Sequence, residues 1–279
     1  MTWEQQRVSF GANATTYDSI RPDWPAATAA WLTGAEPGSG REGVALDVVD
    51  LGAGTGKLTS TLASSGHRVT AVEPDEGMLA VLAGKLPQVR AVQGSAEQIP
   101  LPDHSVDVVT VAQAWHWMKQ PAAALEIARV LRPGGLLAVA WHNRDVTVPW
   151  VAELNQVAGV PRWSAEINAR ADSTGSAANR GHADSADGPV HSGDAVVGLP
   201  SQLYGPVADV VFDYTLVLPT AALPQLASSW SYVAGRPDRD EVLEQVRRLA
   251  ERVAAEQGDH QTLRVPHKTY CHRARTVTG

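Results

Sequence analysis

Asp50-Leu51-Gly52-Ala53-Gly54-Thr55-Gly56-Lys57 follows the apolar run Ala45-Leu46-Asp47-Val48-Val49, and the pair reads as a buried strand ending in a glycine-rich turn. Glycine at alternate positions lets the chain turn tightly and present backbone amides with no Cβ in the way. That geometry suits a nucleotide-like ligand lying across the end of a parallel sheet. Two phosphate-binding loops are excluded by spacing. A dinucleotide fingerprint starting at Gly52 needs glycine at 57, where Lys57 stands; a P-loop needs glycine at 51 and Ser or Thr at 58, where the chain has Leu51 and Leu58.

Working outward, residues 57–65 suit a helix that Gly66 stops, and residues 68–72 form a second strand ending at Glu73. An acidic side chain there, roughly twenty residues beyond the glycine loop, is placed to accept hydrogen bonds from two ribose hydroxyls. The implied ligand is a nucleoside without a pyrophosphate.

With these residues in place, the chain resembles the class I S-adenosylmethionine-dependent methyltransferases. Residues 50–56 resemble their first motif, and Val72-Glu73-Pro74-Asp75 with Met78-Leu79 resembles the acidic second-strand motif. Gly94-Ser95-Ala96-Glu97 followed by residues 99–103 resembles the adenine-bordering segment. Residues 112–117 and 129–135 resemble the fourth-strand end and the turn before the fifth strand. Phe10-Gly11, Tyr17-Asp18, Arg21-Pro22, the segment 231–234 and the strand 266–271 resemble a small-molecule branch that includes trans-aconitate methyltransferase-like proteins. The chain departs from that branch at Ser229-Trp230-Ser231-Tyr232, where members often carry an arginine.

The resemblance implies a Rossmann-like α/β fold: a mostly parallel seven-stranded sheet, an antiparallel C-terminal strand and helices on both faces. It implies S-adenosylmethionine as cofactor, S-adenosylhomocysteine as product, and cofactor contacts at Tyr17, Asp50, Gly52, Ala53, Gly54, Gly56, Glu73, Pro74, Met78, Ala96, Glu97 and Gln113. Asp50 would orient the cofactor's amino end, and Glu73 would hold the ribose through its paired oxygens. Trp115 and Trp117 either enclose the transfer path or pack as wall. His116 either takes a proton or acceptor oxygen, as the catalytic side chain, or is structural. Arg21, Arg144 and Arg236 are clamps for an acidic acceptor or ordinary ion-pair partners, and Tyr232 lies in the acceptor region.

Composition bounds the function. The 279 residues carry 23 basic and 30 acidic side chains, a formal charge of −7 that argues against a broad nucleic-acid footprint. One cysteine, Cys271, forms no internal disulfide, and no Cys/His spacing indicates a structural zinc. His182 and His191 lie with Asp184, Asp187 and Asp194 in a polar stretch whose scattered ligands do not make a metal site, so no metal is expected. With no signal-peptide pattern and no bilayer-length apolar run, a cytoplasmic protein acting on a small molecule is expected, monomer or homodimer open.

The expected organisation is a helical lid over 1–40, a cofactor-binding core over 41–148, a variable cap over 149–206 and a C-terminal completion of the core over 207–279. Strands are expected near 45–50, 68–73, 89–93, 106–112 and 136–142, with helices near 56–65, 75–84, 121–131 and 149–157. Residues 164–195 are Ser-, Ala-, Gly- and Asp-rich, and a flexible excursion is expected there. Beyond it, a strand is expected over 207–218, helices over 221–232 and 239–256, and an antiparallel edge strand over 262–273. The reading as a whole is an enzyme transferring a methyl group to a small acceptor, on carboxylate or hydroxyl oxygen. The alternatives are an N- or protein methyltransferase and a noncatalytic cofactor-binding regulator.

Overall fold

A computed structural model of the chain describes residues 23–160 and 197–277. The N-terminal part of the expected lid with Tyr17 and Arg21, and the polar stretch with its histidines, lie outside these residues. Helix α1 (Ala26–Thr33) precedes strand β1 (Asp47–Leu51), helix α2 (Lys57–Ser64), strand β2 (Arg68–Glu73), helix α3 (Glu76–Lys85) and strand β3 (Arg90–Gln93). Strand β4 (Val106–Ala112), a 3-10 turn (Trp115–Trp117), helix α4 (Gln120–Val130), strand β5 (Leu131–Arg144) and helix α5 (Pro149–Ala158) follow. Strand β6 (Ala208–Pro219), helices α6 (Ala222–Ser228), α7 (Ser231–Ala234) and α8 (Arg239–Glu256), and strand β7 (Thr262–Arg275) complete the described residues.

The seven strands form one sheet in the order β3-β2-β1-β4-β5-β7-β6. The first five are parallel, and β7 runs antiparallel to both β5 and β6. This is the expected mostly parallel seven-stranded sheet with an antiparallel C-terminal strand. Helical connections force the parallel part and leave both faces to be covered. Val49, Leu51, Val109, Val111, Leu137 and Val139 face one apolar cluster, while Val48, Val108, Ala138 and Ala140 alternate onto the other. The strand order runs outward in opposite directions from β1 and β4, which lie side by side, so the loops after β1 and β4 open toward a common crevice.

Four expectations change in detail. Strand 262–273 is not the edge: β7 is interior, flanked on both sides, and the edge belongs to β6. Its alternating polar and apolar residues read as half-solvated, yet His267, Thr269 and His272 are all buried between two neighbours. The single helix expected over 221–232 is two, because Trp230 adopts extended backbone between α6 and α7. The fifth strand starts at Leu131 rather than 136: Val106 pairs with Leu131 and Val108 with Leu136, so Arg132-Pro133-Gly134-Gly135 bulges out between two paired points. The segment containing α5 also joins the C-terminal helices. Leu154 and Ala158 pack with Leu223, Leu226, Val246 and Val253 in one apolar cluster.

Asp47, awkward for a central strand, stands at its entrance, where Arg68 (2.7 Å) and Arg132 (3.0 Å) pair with its carboxylate. Those guanidinium hydrogen bonds hold its carboxyl below the usual range. Among the described residues no helix is long and apolar enough to cross a membrane, and no three metal-ligating side chains cluster.

Candidate functional site

The turn after β1 owes its shape to two glycines. Gly52 has φ 68°, and a Cβ there would come within 2.8 Å of the Ala114 Cβ; only glycine fits that conformation and that approach. Gly56, φ 85°, opens α2, and a Cβ on it would meet Leu82 Cγ at 2.8 Å, so this glycine lets α2 pack on α3. The amides of Gly52 and Ala53 donate to the Val72 carbonyl at 2.8 and 3.2 Å, tying the turn to the end of β2.

Glu73 closes that connection. Its buried carboxylate accepts from the Gly54 amide at 2.8 Å and from the Asp75 amide at 3.0 Å. Burial raises its pKa against the lowering effect of those two amides. Each oxygen keeps further lone-pair capacity for a ligand hydroxyl. Asp75 caps α3 by accepting from the Met78 amide at 2.9 Å and is not among the residues lining the cavity described below.

Asp50 is almost wholly buried. Its two oxygens accept from the Thr59 hydroxyl of α2 (2.6 Å) and the Thr110 hydroxyl of β4 (3.1 Å). Burial pushes its carboxyl up to about 6 despite both bonds. A cationic amino group brought beside it would favour the ionised form.

These groups line a cavity of about 340 Å³. Its first wall is the glycine loop (Gly52, Ala53, Gly54), with Asp50, Glu73, Pro74, Met78, Ala96 and Gln113 around it. Gln113 sits at positive φ, 58°, where its amide donates to the Ala140 carbonyl and its side chain to the His142 carbonyl at 2.7 Å. A strained residue at a strand end is a feature of functional loops. Gly56 and Glu97 are absent from the lining; Glu97 accepts from the Lys119 amide at 2.9 Å instead.

The aromatic triplet divides. Trp115 is buried in the core, with its indole donating to the Val197 carbonyl at 3.0 Å, and it does not line the cavity. His116 and Trp117 do, their rings 5.0 Å apart. Burial lowers His116 to about 4, so at neutral pH it is a neutral imidazole with little strength as a base.

Opposite stands a wall made from β5, β7 and the C-terminal helices. Arg144 donates to Asn155 Oδ1 at 2.6 Å and to the Tyr232 hydroxyl at 2.7 Å, and its guanidinium lies 3.8 Å from the Trp230 ring centroid. Arg144, Tyr232 and Trp230 all face the cavity. Arg236 does not; it forms a two-bond pair with Asp238 at 2.6 and 2.7 Å. Sequence reasoning missed Trp24, His142, Trp230 and His267, which line this wall. His142 and His267 stack at 4.9 Å with 16° between their planes. No local motif announces them, because antiparallel register alone brings residues 142 and 267 together.

Comparison with known proteins agrees with this geometry. Residues 49–139 match the family model described as a methyltransferase domain. An uncharacterized methyltransferase of Mycobacterium tuberculosis is 48% identical over 152 residues, 54% of this chain and 59% of that relative. An uncharacterized methyltransferase of Schizosaccharomyces pombe is 41% identical over 150 residues, 53% of this chain and 58% of its own. The chain thus spans somewhat under two thirds of these relatives. Among solved structures, a provisionally named type II methyltransferase of Anaeromyxobacter dehalogenans superposes with a TM-score of 0.54 at 24% identity, covering 92% of this chain and 97% of that one. The (4+2)-cyclase SpnF gives 0.51 at 16% identity over 100% and 97%, a likeness of fold alone. Strand order and the glycine turn with its second-strand acid agree with the match of residues 49–139 to the methyltransferase domain model.

Proposed function

We propose that the protein transfers a methyl group from S-adenosylmethionine to an oxygen of a small-molecule acceptor. The observation that carries this is one cavity whose two walls have different chemistry: backbone amides and a ribose-type carboxylate on one side, aromatic rings, an arginine and histidines on the other. The first wall fits the cofactor. Gly54 and Glu73 are already joined by a hydrogen bond at its rim, and Asp50 is a buried acid suited to a cationic amino group. Glu73 would hold the ribose, the amides after Gly52 the methionine portion, and Ala96 the adenine edge. When bound, S-adenosylmethionine supplies a methyl group activated by its sulfonium.

The chain's own residues bind, align and exclude water. Trp117 offers aromatic surface to a cationic or planar partner, while the Trp230 ring is held under the Arg144 guanidinium. Arg144, fixed by Asn155 and Tyr232, presents a permanent positive charge to an acidic acceptor group. That feature supports the small-molecule branch that includes trans-aconitate methyltransferase-like proteins. The net charge of −7 disfavours nucleic acid as acceptor.

The test is calorimetric titration with S-adenosylhomocysteine, followed by incubation with methyl-labelled cofactor and a small-metabolite extract. Binding and label on a small compound are expected. A folded protein that does not bind S-adenosylhomocysteine overturns the reading. Label on polypeptide alone replaces the acceptor class, and binding without any transfer favours a noncatalytic regulator.

A further inference from the structure

Among the described residues, the carboxylates of Asp50 and Glu73 and the cations of Lys57 and Arg144 line the cavity. On the cofactor reading Glu73 takes the ribose and Asp50 the amino group, and Arg144 stands in the opposite wall, which leaves Lys57 unassigned. Lys57 opens α2 directly after the glycine loop, and its side chain is only 20% exposed. Its Nζ donates to the Asp23 carboxylate at 2.9 Å, yet Asp23 is 81% exposed. An ion pair open to water on one side adds little to stability, so it does not account for a lysine held against the cavity. An ammonium also carries three donors, of which Asp23 takes one.

Asp50 and Lys57 belong to one corner of the cavity. The Asp50 carboxylate accepts from the Thr59 hydroxyl, two residues beyond Lys57 on α2. Thr55, two residues before Lys57, also lines the cavity, and its hydroxyl is buried with no hydrogen-bond partner. An amino acid carries its amino and carboxylate groups on one carbon, so setting the amino end beside Asp50 brings the carboxylate close by. A carboxylate taken out of water needs a cation or several donors. Lys57 is the cation that the cofactor wall provides.

We infer that Lys57 anchors the carboxylate of the cofactor's methionine portion, and that this carboxylate takes the place Asp23 holds in the free protein. The inference rests on the cofactor reading and deepens it. Only the Asp23 side chain has to turn aside into water. Trp24, the next residue, stays fixed, because its carbonyl accepts from the Thr61 hydroxyl of α2 at 3.1 Å and its ring packs edge-on to His142. The exchange makes Asp23 a competitor of the cofactor, which a purely structural ion pair would not be.

The test is calorimetric titration with two probes, S-adenosylhomocysteine and its decarboxylated analogue S-adenosyl-3-thiopropylamine, which keeps the amino group and lacks the carboxylate. The wild type is expected to bind the first at least about tenfold more tightly, the worth of a charged hydrogen bond. Lys57→Met is expected to lose that preference by weakening S-adenosylhomocysteine, with the analogue bound no more weakly than by the wild type. Lys57→Arg keeps the charge and is expected to keep most of the preference. Asp23→Asn is expected to tighten S-adenosylhomocysteine about twofold to fivefold, the scale of an exposed ion pair. A wild type that binds both probes equally overturns the inference. So does a folded Lys57→Met variant that keeps the preference or weakens both probes alike, or an Asp23→Asn variant with unchanged or weaker S-adenosylhomocysteine binding. Should Lys57→Met fail to fold, the wild-type preference and Asp23→Asn still decide. A folded wild type that binds neither probe sinks the cofactor reading instead.

Discussion

The two walls of the cavity, proposed to take the cofactor and the acceptor, are built by different means. The cofactor wall comes from loops following consecutive parallel strands, between Asp50 and Met118, and its main instruments are backbone amides and one carboxylate. The acceptor wall gathers Trp24, residues 141–144, Leu226, Trp230, Tyr232 and His267, and its instruments are side chains that meet through antiparallel pairing and helix packing. A backbone cradle tolerates few changes in sequence, because conformation at each position is dictated. A side-chain wall allows substitution at each place while the sheet stays the same. On the proposed reading, one architecture keeps its donor and varies its acceptor.

Perturbing the cofactor wall should have the largest effects. Gly52→Val places a β-branched residue at φ 68° and a methyl-sized atom against Ala114. It is expected to cost about 2–4 kcal/mol of stability and abolish measurable S-adenosylhomocysteine binding. Denaturant unfolding and calorimetry check it; native affinity would move the cofactor away from this loop. Glu73→Gln puts an amide donor opposite either the Gly54 or the Asp75 amide and is expected to weaken S-adenosylhomocysteine binding about tenfold to a hundredfold, the worth of charged hydrogen bonds.

Asp50 sharpens the contrast through pH. Burial holds its pKa near 6 against an ordinary 3.8, so the folded chain grips this proton more tightly than the unfolded chain does. Its contribution to stability is fully present below about pH 4 and is lost as pH climbs through about 6. Asp50→Asn should remove that loss, so the variant's stability relative to wild type grows across this interval. Over the same interval wild-type affinity for the amino-bearing S-adenosylhomocysteine should rise as Asp50 ionises, and the variant should flatten that rise. A parallel pH dependence in both proteins would remove Asp50 from the amino end.

The smallest effect belongs to the acceptor wall. Tyr232→Phe deletes the hydroxyl that accepts from Arg144 and should cost about 0.5–1.5 kcal/mol by chemical denaturation, with S-adenosylhomocysteine affinity unchanged within about twofold. A large loss of cofactor affinity would mean that the two walls are not separable.

The same division explains what could be read from the chain. The glycine turn, Glu73 and the alternation of strands with helices are local in sequence, and the order of β1 to β5 follows from them. Met78 and Ala96 reach the cavity because they ride on those elements. For Trp115 the packed alternative holds, for a physical reason: adjacent residues in a 3-10 turn point in different directions, so of Trp115-His116-Trp117 one side chain enters the core. Arg236 takes the ion-pair alternative, because Asp238, two residues on, satisfies it. His142 and His267 gave no signal, since 125 positions separate them and only the placement of β7 inside the sheet makes them neighbours.

That placement has a kinetic side. Strand β6 has no pairing of its own with β5 and joins the sheet only through β7. Pairing β5 with β7 closes a loop of more than a hundred residues, and such distant closure is slow compared with the short crossovers linking β1 to β4. Amide protection during refolding should accordingly reach Val49 and Val109 before Tyr270 and Cys271. The half proposed to hold the donor would be shaped first, and the half proposed to choose the acceptor would be fastened onto a finished platform.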